Sequence, residues 1–235
     1  MSAAVADRNG GSLVQRAIDA VNRHIRDQGL RVGDTLPGEG YFAGELGVSR
    51  AVMREAFGAL AALRLIDVGN GRKPRVGEID GSVIATSLGH AVTTAQVTVP
   101  DVWEVRRTLE LRTAELAAAN RTPEQAAEIV ALADAIEADT DDPEAVTRHD
   151  IAMHQAIARA SGNMLFTQII RSFEALMEVA VPTAWDTRQT PEQRRAIVDR
   201  HHALARSIAD GDPARARAEM EAHFDTSIGD LLAHR

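Results

Sequence analysis

The feature that most constrains the fold of this chain is a helix-start pattern that recurs along its last two-thirds. A Thr or Asp is followed by Pro, by Glu or Gln within three residues, or by both, and such residues satisfy the free N–H groups of a first helical turn. The pattern occurs at five positions: Asp101, Thr122, Asp142, Thr190 and Asp212. It predicts that this part of the chain folds as a series of separate helices.

The predicted helices carry apolar residues at spacings of three and four, which is typical of an antiparallel helical bundle. Gly162 and Asn163 interrupt the pattern, and Pro182 is predicted to end a helix. The expected helices span residues 101 to about 120, 122 to about 138, 142 to about 161, 164 to about 180, 190 to about 211, and 213 onward. No alternating strand pattern follows residue 80.

The N-terminal part of the chain, up to residue 80, follows a different order. An amphipathic helix at about 11–28 precedes two shorter helices separated by the sequence GVS at 47–49. Short apolar runs at 65–68 and 74–76 flank the turn sequence GNG at 69–71, which predicts a hairpin. This is the order of a winged helix-turn-helix.

The predicted fold class is therefore mainly α, with an N-terminal winged helix-turn-helix and a C-terminal all-α antiparallel helical bundle. We expect the winged helix-turn-helix in residues 1–76 and the bundle in 101–235. Residues 77–100, rich in Gly, Ser and Thr, are expected to form a linker with room for a short helix at 82–92.

The net charge of −8 is unevenly distributed along the chain, which matters for nucleic-acid binding. Residues 1–80 hold 11 Lys and Arg against 10 Asp and Glu, whereas the rest of the chain carries a net charge of −9. Residues 49–76 hold six cations and two acids. The acidic character therefore belongs to the predicted bundle, and the hairpin region is basic.

The composition also excludes several kinds of site. The chain has no cysteine, which rules out disulfides, thiolate zinc fingers, iron–sulfur clusters and cysteine nucleophiles. No stretch approaches the roughly 20 uninterrupted apolar residues of a membrane helix, and the N-terminus lacks a hydrophobic signal region. We therefore expect a cytoplasmic location and no membrane contact.

The second helix of a helix-turn-helix presents its first residues to the DNA major groove. Ser49 is the expected N-cap of that helix, and Arg50 and Arg54 lie one turn apart on its exposed face. The hairpin cations can reach an adjacent groove, and we call them the basic wing: Arg72, Lys73 and Arg75. Charge alone leaves open that Arg50 and Arg54 are merely solvated, with Arg54 beside Glu55. The predicted DNA-binding residues are Ser49, Arg50, Arg54, Arg72, Lys73 and Arg75.

Four side chains of the predicted bundle are candidates for a metal site. Asp150 and His154 lie four residues apart on one predicted helix and can therefore bind the same ion. His201 and His223 lie at similar separations before and after Gly211. An antiparallel pair of helices would bring them to similar heights, about 15 and 18 Å from that turn.

One divalent cation would satisfy all four of these buried polar groups, whereas burying them without a shared partner is costly. Asp and His suit zinc, and also Ni, Mn or Fe, with open coordination positions. A lone histidine would instead be a core residue hydrogen-bonded to a neighbour. The other histidines fit no such arrangement and are predicted to be surface or incidental residues: His24, His90, His149, His202 and His234.

The N-terminal sequence LPGEGYFAGELGVSRAVMREAFGALAALRLIDV resembles the GntR-type winged-helix signature, and the resemblance extends over most of residues 1–76. The following segment NGRKPRV resembles the wing of its FadR subgroup. The resemblance implies DNA contacts at Arg50, Arg54 and the basic wing, and less firmly at Ser49. The chain departs from the family at Gly40, where a basic residue is common, so one phosphate contact is expected to be missing there.

Three C-terminal segments resemble the FadR C-terminal (FCD) domain: WEVRRTLELRTAELAAA, DIAMHQAIARASGN and RHHALARSIADGDPARARAEMEAHF. The resemblance implies that Asp150, His154, His201 and His223 bind the metal and that Arg106 faces a cavity and binds an organic acid. Asn163 could bind that ligand or cap a helix end. The alternative for Arg106 is a surface ion pair with Glu110, four residues later, worth about 0.3–0.5 kcal/mol.

These features favour a homodimeric, ligand-responsive regulator that binds double-stranded DNA at a palindromic operator and is not an enzyme. The expected effector is a small carboxylate that relieves repression. A metal-dependent enzyme acting on a small carboxylate is the alternative, because Asp and three His can also activate water. No HExxH or GxSxG pattern supports it. A helical scaffold that binds only protein would leave the basic wing unexplained.

Overall fold

The computed structural model describes the backbone of residues 12–69 and 71–233 and the side chains of these residues up to 226. These residues form eleven helices and two short strands, which confirms the mainly α prediction. The elements are α1 (Leu13–Asp27), α2 (Glu39–Leu46), α3 (Arg50–Ala62), β1 (Ile66–Asp67), β2 (Arg75–Val76), α4 (Ser82–Thr93), α5 (Val99–Asn120), α6 (Pro123–Ala138), α7 (Pro143–Ala160), α8 (Met164–Arg171), α9 (Glu174–Asp186), α10 (Pro191–Ala209) and α11 (Pro213–Ala233). None of the helices in this part of the chain combines the length and apolar content needed to cross a membrane.

The chain divides into two compact units between Val83 and Ile84. In the first unit, α2 ends at Gly47, which adopts the left-handed conformation that allows the chain to turn sharply toward α3. Ser49 then caps α3 by accepting a hydrogen bond from the backbone N–H of Val52 at 3.3 Å. Buried residues of α1, α2, α3 and β1 form one apolar core: Ala17, Val21, Phe42, Met53, Ala56, Phe57, Leu60 and Ile66.

The two strands of the first unit form an antiparallel hairpin, with Ile66 opposite Val76 and Asp67 opposite Arg75. Ile66 anchors the hairpin because its side chain is buried in the core. The backbone closes tightly at its base, where a Cβ at Gly77 would lie 2.2 Å from the carbonyl oxygen of Arg64. The predicted turn residue Asn70 lies outside the described residues.

The second unit is a helical bundle whose core runs between α5, α6, α7, α10 and α11. Its helix starts follow the predicted chemistry, with capping boxes at Thr122 and Thr190 and an Asp142 cap on α7. Large apolar side chains fill the space between these helices: Ile129, Ile136, Met153, Ile157, Leu204, Ile208, Met220 and Phe224. The helices α5, α7, α10 and α11 carry the candidate site described below.

The predicted N-cap of α5 was wrong by three residues. Thr98, rather than Asp101, is the N-cap, and Asp101 is the third helical residue whose carboxylate accepts from the Thr98 backbone N–H at 2.8 Å. Pro100 fits the first turn because its missing N–H has no partner there in any helix. The region expected to be a linker contains α4, which matches the short helix expected at 82–92.

The single helix predicted at 164–180 is instead two helices, α8 and α9. The chain breaks at Ser172, whose hydroxyl donates to the carbonyl oxygen of Ile169 at 2.6 Å, and at Phe173, which is buried. Pro182 lies inside α9 rather than after it. Because Pro182 has no N–H, the backbone carbonyl oxygen of Glu178 loses its helical donor. Glu178 is exposed, so water can donate to that carbonyl oxygen instead.

Candidate metal centre and nucleic-acid interface

Four side chains from three helices meet inside the second unit. Asp150 and His154 lie on α7, His201 on α10 and His223 on α11. One potential ligand atom from each residue lies within 4.8 Å of those of the other three, and all four residues are buried. We call these four residues the ligand cluster.

Distances within the ligand cluster suit groups that share one ion. His201 Nε2 lies 3.0 Å from Asp150 Oδ1, and His154 Nε2 lies 3.2 Å from His223 Nε2. His154 Nε2 is also 3.9 Å from Asp150 Oδ1. Two ligands bonded to a tetrahedral zinc at about 2.0–2.1 Å lie about 3.3 Å apart, so the donor set fits a divalent cation.

Hydrogen bonds donated by the Nδ1 atoms orient two of the imidazoles. His201 Nδ1 donates to the backbone carbonyl oxygen of Ile197 at 2.9 Å, and His154 Nδ1 donates to the carboxylate of Glu110. Because these partners can only accept, Nδ1 carries the hydrogen, and Nε2 has the lone pair whenever the ring is neutral. Both Nε2 atoms face the ligand cluster. The buried Nδ1 of His223 has no hydrogen-bond partner among the described residues.

The surroundings of Asp150 and His223 favour the protonation states that metal binding requires. Burial raises the pKa of Asp150, but the hydrogen bond to His201 and the charge of His154 outweigh burial and hold this pKa well below its usual range. Burial, followed by the charges of His201 and His154, lowers the pKa of His223 well below its usual range. An ionised carboxylate and a neutral imidazole are the forms that bind metals.

Glu110 links the ligand cluster to Arg106. Its carboxylate accepts from His154 Nδ1 and from Arg106 Nε, the latter at 2.6 Å. Burial alone would raise the pKa of Glu110, but the charges of Arg106 and His154 outweigh burial and lower it. Burial likewise lowers the pKa of His154, but the Glu110 carboxylate outweighs it and raises this pKa, so a metal at His154 competes with a proton.

The ion pair between Arg106 and Glu110 is present, but it is not on the surface. The two side chains are 4% and 1% exposed, because this face of α5 packs into the bundle. The sequence did not predict Glu110 as a partner of the histidines. Its four-residue spacing from Arg106 was visible in the sequence, whereas its contact with His154, 44 positions away, was not.

A small cavity of about 40 Å³ adjoins the ligand cluster. Arg106 lines it, as the resemblance implied, and its guanidinium carbon lies 5.1 Å from the centre of the Trp103 ring. Two residues that no sequence pattern indicated also line the cavity, namely Trp185 near the end of α9 and Arg188 just after it. All four residues of the ligand cluster line the same cavity.

Asn163 does not line this cavity. It is exposed, and its side-chain oxygen accepts a hydrogen bond from the backbone N–H of Leu165 at 3.0 Å as the N-cap of α8. The structure therefore supports the helix-capping alternative for Asn163. Its position in the sequence, just before a predicted helix, was the signal for that role.

Histidines outside the ligand cluster have ordinary surroundings where they are described. His149 and His202 each pair with an acidic side chain at 2.9 Å, His24 packs against aromatic rings, and His90 is exposed. His234 lies outside the described residues.

The predicted DNA-reading side chains of α3 are exposed. Ser49 caps the helix, and Arg50 and Arg54 follow on its surface. Arg54 Nε lies 3.8 Å from Glu39 Oε2 of α2, so its acidic neighbour is Glu39 rather than the adjacent Glu55. The Arg54 side chain is nevertheless 78% exposed, and so loose a pair leaves it available to another anion.

The basic wing is exposed as well, but its members differ in how they are held. Arg75 Nη1 donates to the backbone carbonyl oxygen of Gly33 at 2.7 Å. The Arg72 guanidinium folds over the backbone of Gly69, where an added Cβ would lie 2.6 Å from Arg72 Nη2. Lys73 is exposed at the end of the hairpin. The wing therefore presents cations in partly fixed positions.

Comparison with known families matches both units. The model of the bacterial regulatory proteins of the gntR family matches residues 13–76, and the FCD domain model matches residues 101–226. The chain is also 31% identical over 222 residues to the HTH-type transcriptional regulator LutR of Bacillus subtilis, covering 89% of this chain and 96% of that protein. This chain belongs to the GntR family. Its FCD domain is consistent with the FadR-like subgroup.

One further relative and one solved structure are similar to this chain. The chain is 28% identical over 190 residues to the Glc operon transcriptional activator of Escherichia coli (strain K12), covering 79% of this chain and 75% of that protein. A GntR structure from Streptococcus agalactiae shares the fold, with a TM-score of 0.67 and 23% identity over 91% of this chain and 97% of that one. These families and relatives are transcriptional regulators, which confirms the prediction that the chain is not an enzyme.

Proposed function

We propose that this GntR-family regulator holds a divalent metal at the ligand cluster and senses a small organic acid in the adjoining cavity. The observation that carries the proposal is the burial of four ligand atoms within 4.8 Å of one another, beside a cavity that Arg106 also lines. Acidic and imidazole donors without thiolates suit zinc, and also Ni, Mn or Fe. When bound, the metal supplies a Lewis-acidic position that attracts a carboxylate.

The chain's own residues have distinct parts in this proposal. Asp150, His154, His201 and His223 hold the metal through one atom each. Glu110 orients His154 by accepting its Nδ1 proton, as carboxylates next to metal-bound histidines do. Arg106 supplies positive charge at the cavity for the carboxylate of the acid, while its Nε stays paired with Glu110.

The proposed output is DNA binding by residues 1–76, through Ser49, Arg50, Arg54 and the basic wing. Residues 77–100 serve as the linker, and residues 101–235 bind the effector and form a homodimer, so that two DNA-binding domains match a palindromic operator. The acid contacts side chains from several helices and binds one arrangement of these helices more tightly than another. It thereby shifts the protein toward an arrangement that releases the DNA, which relieves repression. Gel shifts with and without the acid establish the sign of this response.

Elemental analysis of the purified protein tests the metal site, with two neighbouring histidines as a matched pair. We expect about one divalent ion per chain in the wild-type protein. His201→Gln should lose the ion, whereas His202→Gln should keep it, because His202 pairs with Glu137 and Asp134 outside the ligand cluster. Equal metal content in the two variants, or a metal-free wild-type protein that binds no added Zn²⁺, would overturn the proposal.

A further inference from the structure

An open cleft in the first unit lies between the start of α2 and the basic wing. It has a volume of about 760 Å³ and is lined by residues of α1, of the segment before α2, of α2 itself and of the hairpin. Arg72 and Lys73 line it from the wing, and none of its described lining residues is acidic. The cleft therefore suits a ligand that carries negative charge.

Backbone hydrogen bonds tie the wing to the segment that leads into α2. The N–H of Leu36 donates to the carbonyl oxygen of Pro74 at 2.8 Å, and the N–H of Val76 donates to that of Asp34 at 2.9 Å. Leu36 is also buried in the core of the first unit. The two sides of the cleft are thus held at a fixed separation by the backbone and not by flexible side chains.

Tyr41, the only tyrosine of the chain, lines this cleft from α2. Its side chain is 50% exposed, although the next residue, Phe42, is buried. The Tyr41 ring packs edge-on against His24 and Phe42, with ring centres 6.0 and 5.2 Å apart. Its hydroxyl has no hydrogen-bond partner in the part of the chain that the structure describes. The ring is therefore held in place while the hydroxyl remains available to a ligand.

The path of a DNA strand past these elements follows from the motif. The recognition helix, here α3, lies in the major groove, and the first helix of the motif, here α2, crosses the DNA backbone. The wing reaches the adjacent groove, and one sugar-phosphate strand separates two adjacent grooves. That strand would pass between α3 and the wing, beside the start of α2. Tyrosine hydroxyls are among the groups that bind DNA phosphates.

We infer that a DNA strand runs through this cleft and that the Tyr41 hydroxyl donates a hydrogen bond to one of its phosphates. This inference rests on the proposed DNA binding by residues 1–76 and is independent of the metal and the effector. The contact adds affinity for DNA of any sequence, because phosphates carry no sequence information. The preceding residue, Gly40, has no side chain that could make such a contact.

Removing the hydroxyl of Tyr41 from the full-length protein tests the inference. Tyr41→Phe keeps the ring that packs against His24 and Phe42. We expect it to bind about 3- to 10-fold more weakly to a duplex that the wild-type protein selects from a random DNA pool, and by the same factor to an unrelated duplex of equal length. Fluorescence anisotropy at several salt concentrations measures both affinities.

Salt dependence separates this neutral contact from those of the wing. Because the phenol is uncharged, Tyr41→Phe should leave the slope of log affinity against log salt concentration unchanged. Lys73→Gln should make that slope less steep by about one, since it removes one cation from the DNA. A flatter slope in Tyr41→Phe would mean that this substitution displaces the wing, which would contradict a direct contact.

Ethylation of single phosphates in the selected duplex identifies the contacted group. Ethylation removes the charge of one phosphate and blocks one of its oxygens. We expect a phosphate whose ethylation weakens the binding of the wild-type protein but has no further effect on Tyr41→Phe, because only groups in contact show such non-additivity. If Tyr41 had only a structural role, both proteins would give the same interference pattern, and this result would overturn the inference.

Gly40→Arg is an independent test at the neighbouring position. A Cβ added at Gly40 meets no other atom within 4 Å, so a side chain fits there. The added cation beside the strand should increase the affinity for both duplexes and steepen the salt slope by about one. Gln15→Arg is the control, because it adds the same charge on α1 beside Asp19, about 14 Å along the helix from His24. Equal effects of the two changes would contradict the inference.

The outcomes distinguish this inference from the proposed function. If the wild-type protein binds neither duplex even at low salt, the proposed DNA binding and this inference both fail. If the wild-type protein binds DNA and Tyr41→Phe binds both duplexes equally well, the inference is wrong and the proposed function stands. Circular dichroism establishes that each variant is folded. Should Tyr41→Phe not fold, the comparison of Gly40→Arg with Gln15→Arg decides the matter.

Discussion

At the scale of single residues, the Glu110 carboxylate has two partners, and these two contacts together determine its role. Arg106 and Glu110 form a buried ion pair, and Glu110 also accepts from His154. Removing one member of such a pair leaves an uncompensated charge in the core, whereas a surface pair contributes little. An Arg and a Glu four residues apart therefore contribute little on a helix surface, but they depend strongly on each other when both are buried, as Arg106 and Glu110 are.

Replacing Glu110 tests its orienting role. Glu110→Gln removes the carboxylate that accepts from His154 Nδ1, and we expect zinc affinity to fall about 10- to 100-fold. Competition with a chromogenic chelator measures that affinity. Glu115→Gln is the control, since Glu115 lies on the same helix and pairs with Arg112 at the surface. Unchanged affinity in Glu110→Gln, or an equal loss in both variants, would contradict the assignment.

At the scale of secondary-structure elements, α3 joins a buried face to an exposed basic one. Met53, Ala56, Phe57 and Leu60 are buried in the core of the first unit, which determines which way the rest of the helix faces. Arg50 and Arg54 are left on the solvent side. Because Ser49 caps this helix, its first turn is well formed where it would approach DNA.

Alanine substitutions in α3 test its contact with DNA. Arg50→Ala or Arg54→Ala should each weaken binding to sites selected by the wild-type protein from a random DNA pool. Loss of a base contact would weaken binding roughly 5- to 100-fold and relax sequence specificity, whereas loss of a phosphate contact would weaken binding to all sequences and reduce its salt dependence. Fluorescence anisotropy at several salt concentrations distinguishes these cases. Arg23→Ala, a change on α1, should bind normally; a loss as large as that of the α3 variants would count against the interface.

At the scale of the whole molecule, the proposed metal joins helices that are far apart in the chain. Its ligands come from α7, α10 and α11, and the orienting Glu110 comes from α5. A metal that binds the folded state and not the unfolded one adds to stability in proportion to the logarithm of its concentration. The second unit is therefore expected to be more stable with metal than without it.

Thermal unfolding with and without a chelator measures this contribution. With zinc at about 100 times its dissociation constant, the melting temperature should be roughly 5 to 10 °C higher than after chelation. His201→Gln should unfold at the same temperature under both conditions. His202→Gln should behave like the wild-type protein. A melting temperature that does not respond to chelation in the wild-type protein would argue against a structural effect of the metal.

The parts that local chemistry decides were accessible from the sequence. The capping boxes at Thr122 and Thr190 and the cap at Asp142 act within three residues, so most helix starts could be predicted. The two pairs of cluster residues follow from a four-residue spacing and from a helical hairpin about Gly211. Thr98 was missed because two nearby acceptors, Thr98 and Asp101, suit the same helix start.

Tertiary packing decided the features that depend on residues far apart in the chain. The contact of Glu110 with His154 joins positions 44 apart, and Trp185 and Arg188 line the cavity only because α9 packs beside α7 and α11. Periodicity also did not indicate the break between α8 and α9, where burial of Phe173 favours a turn. Caps and spacings operate within one or two helical turns, whereas burial and cavity walls are properties of the assembled bundle.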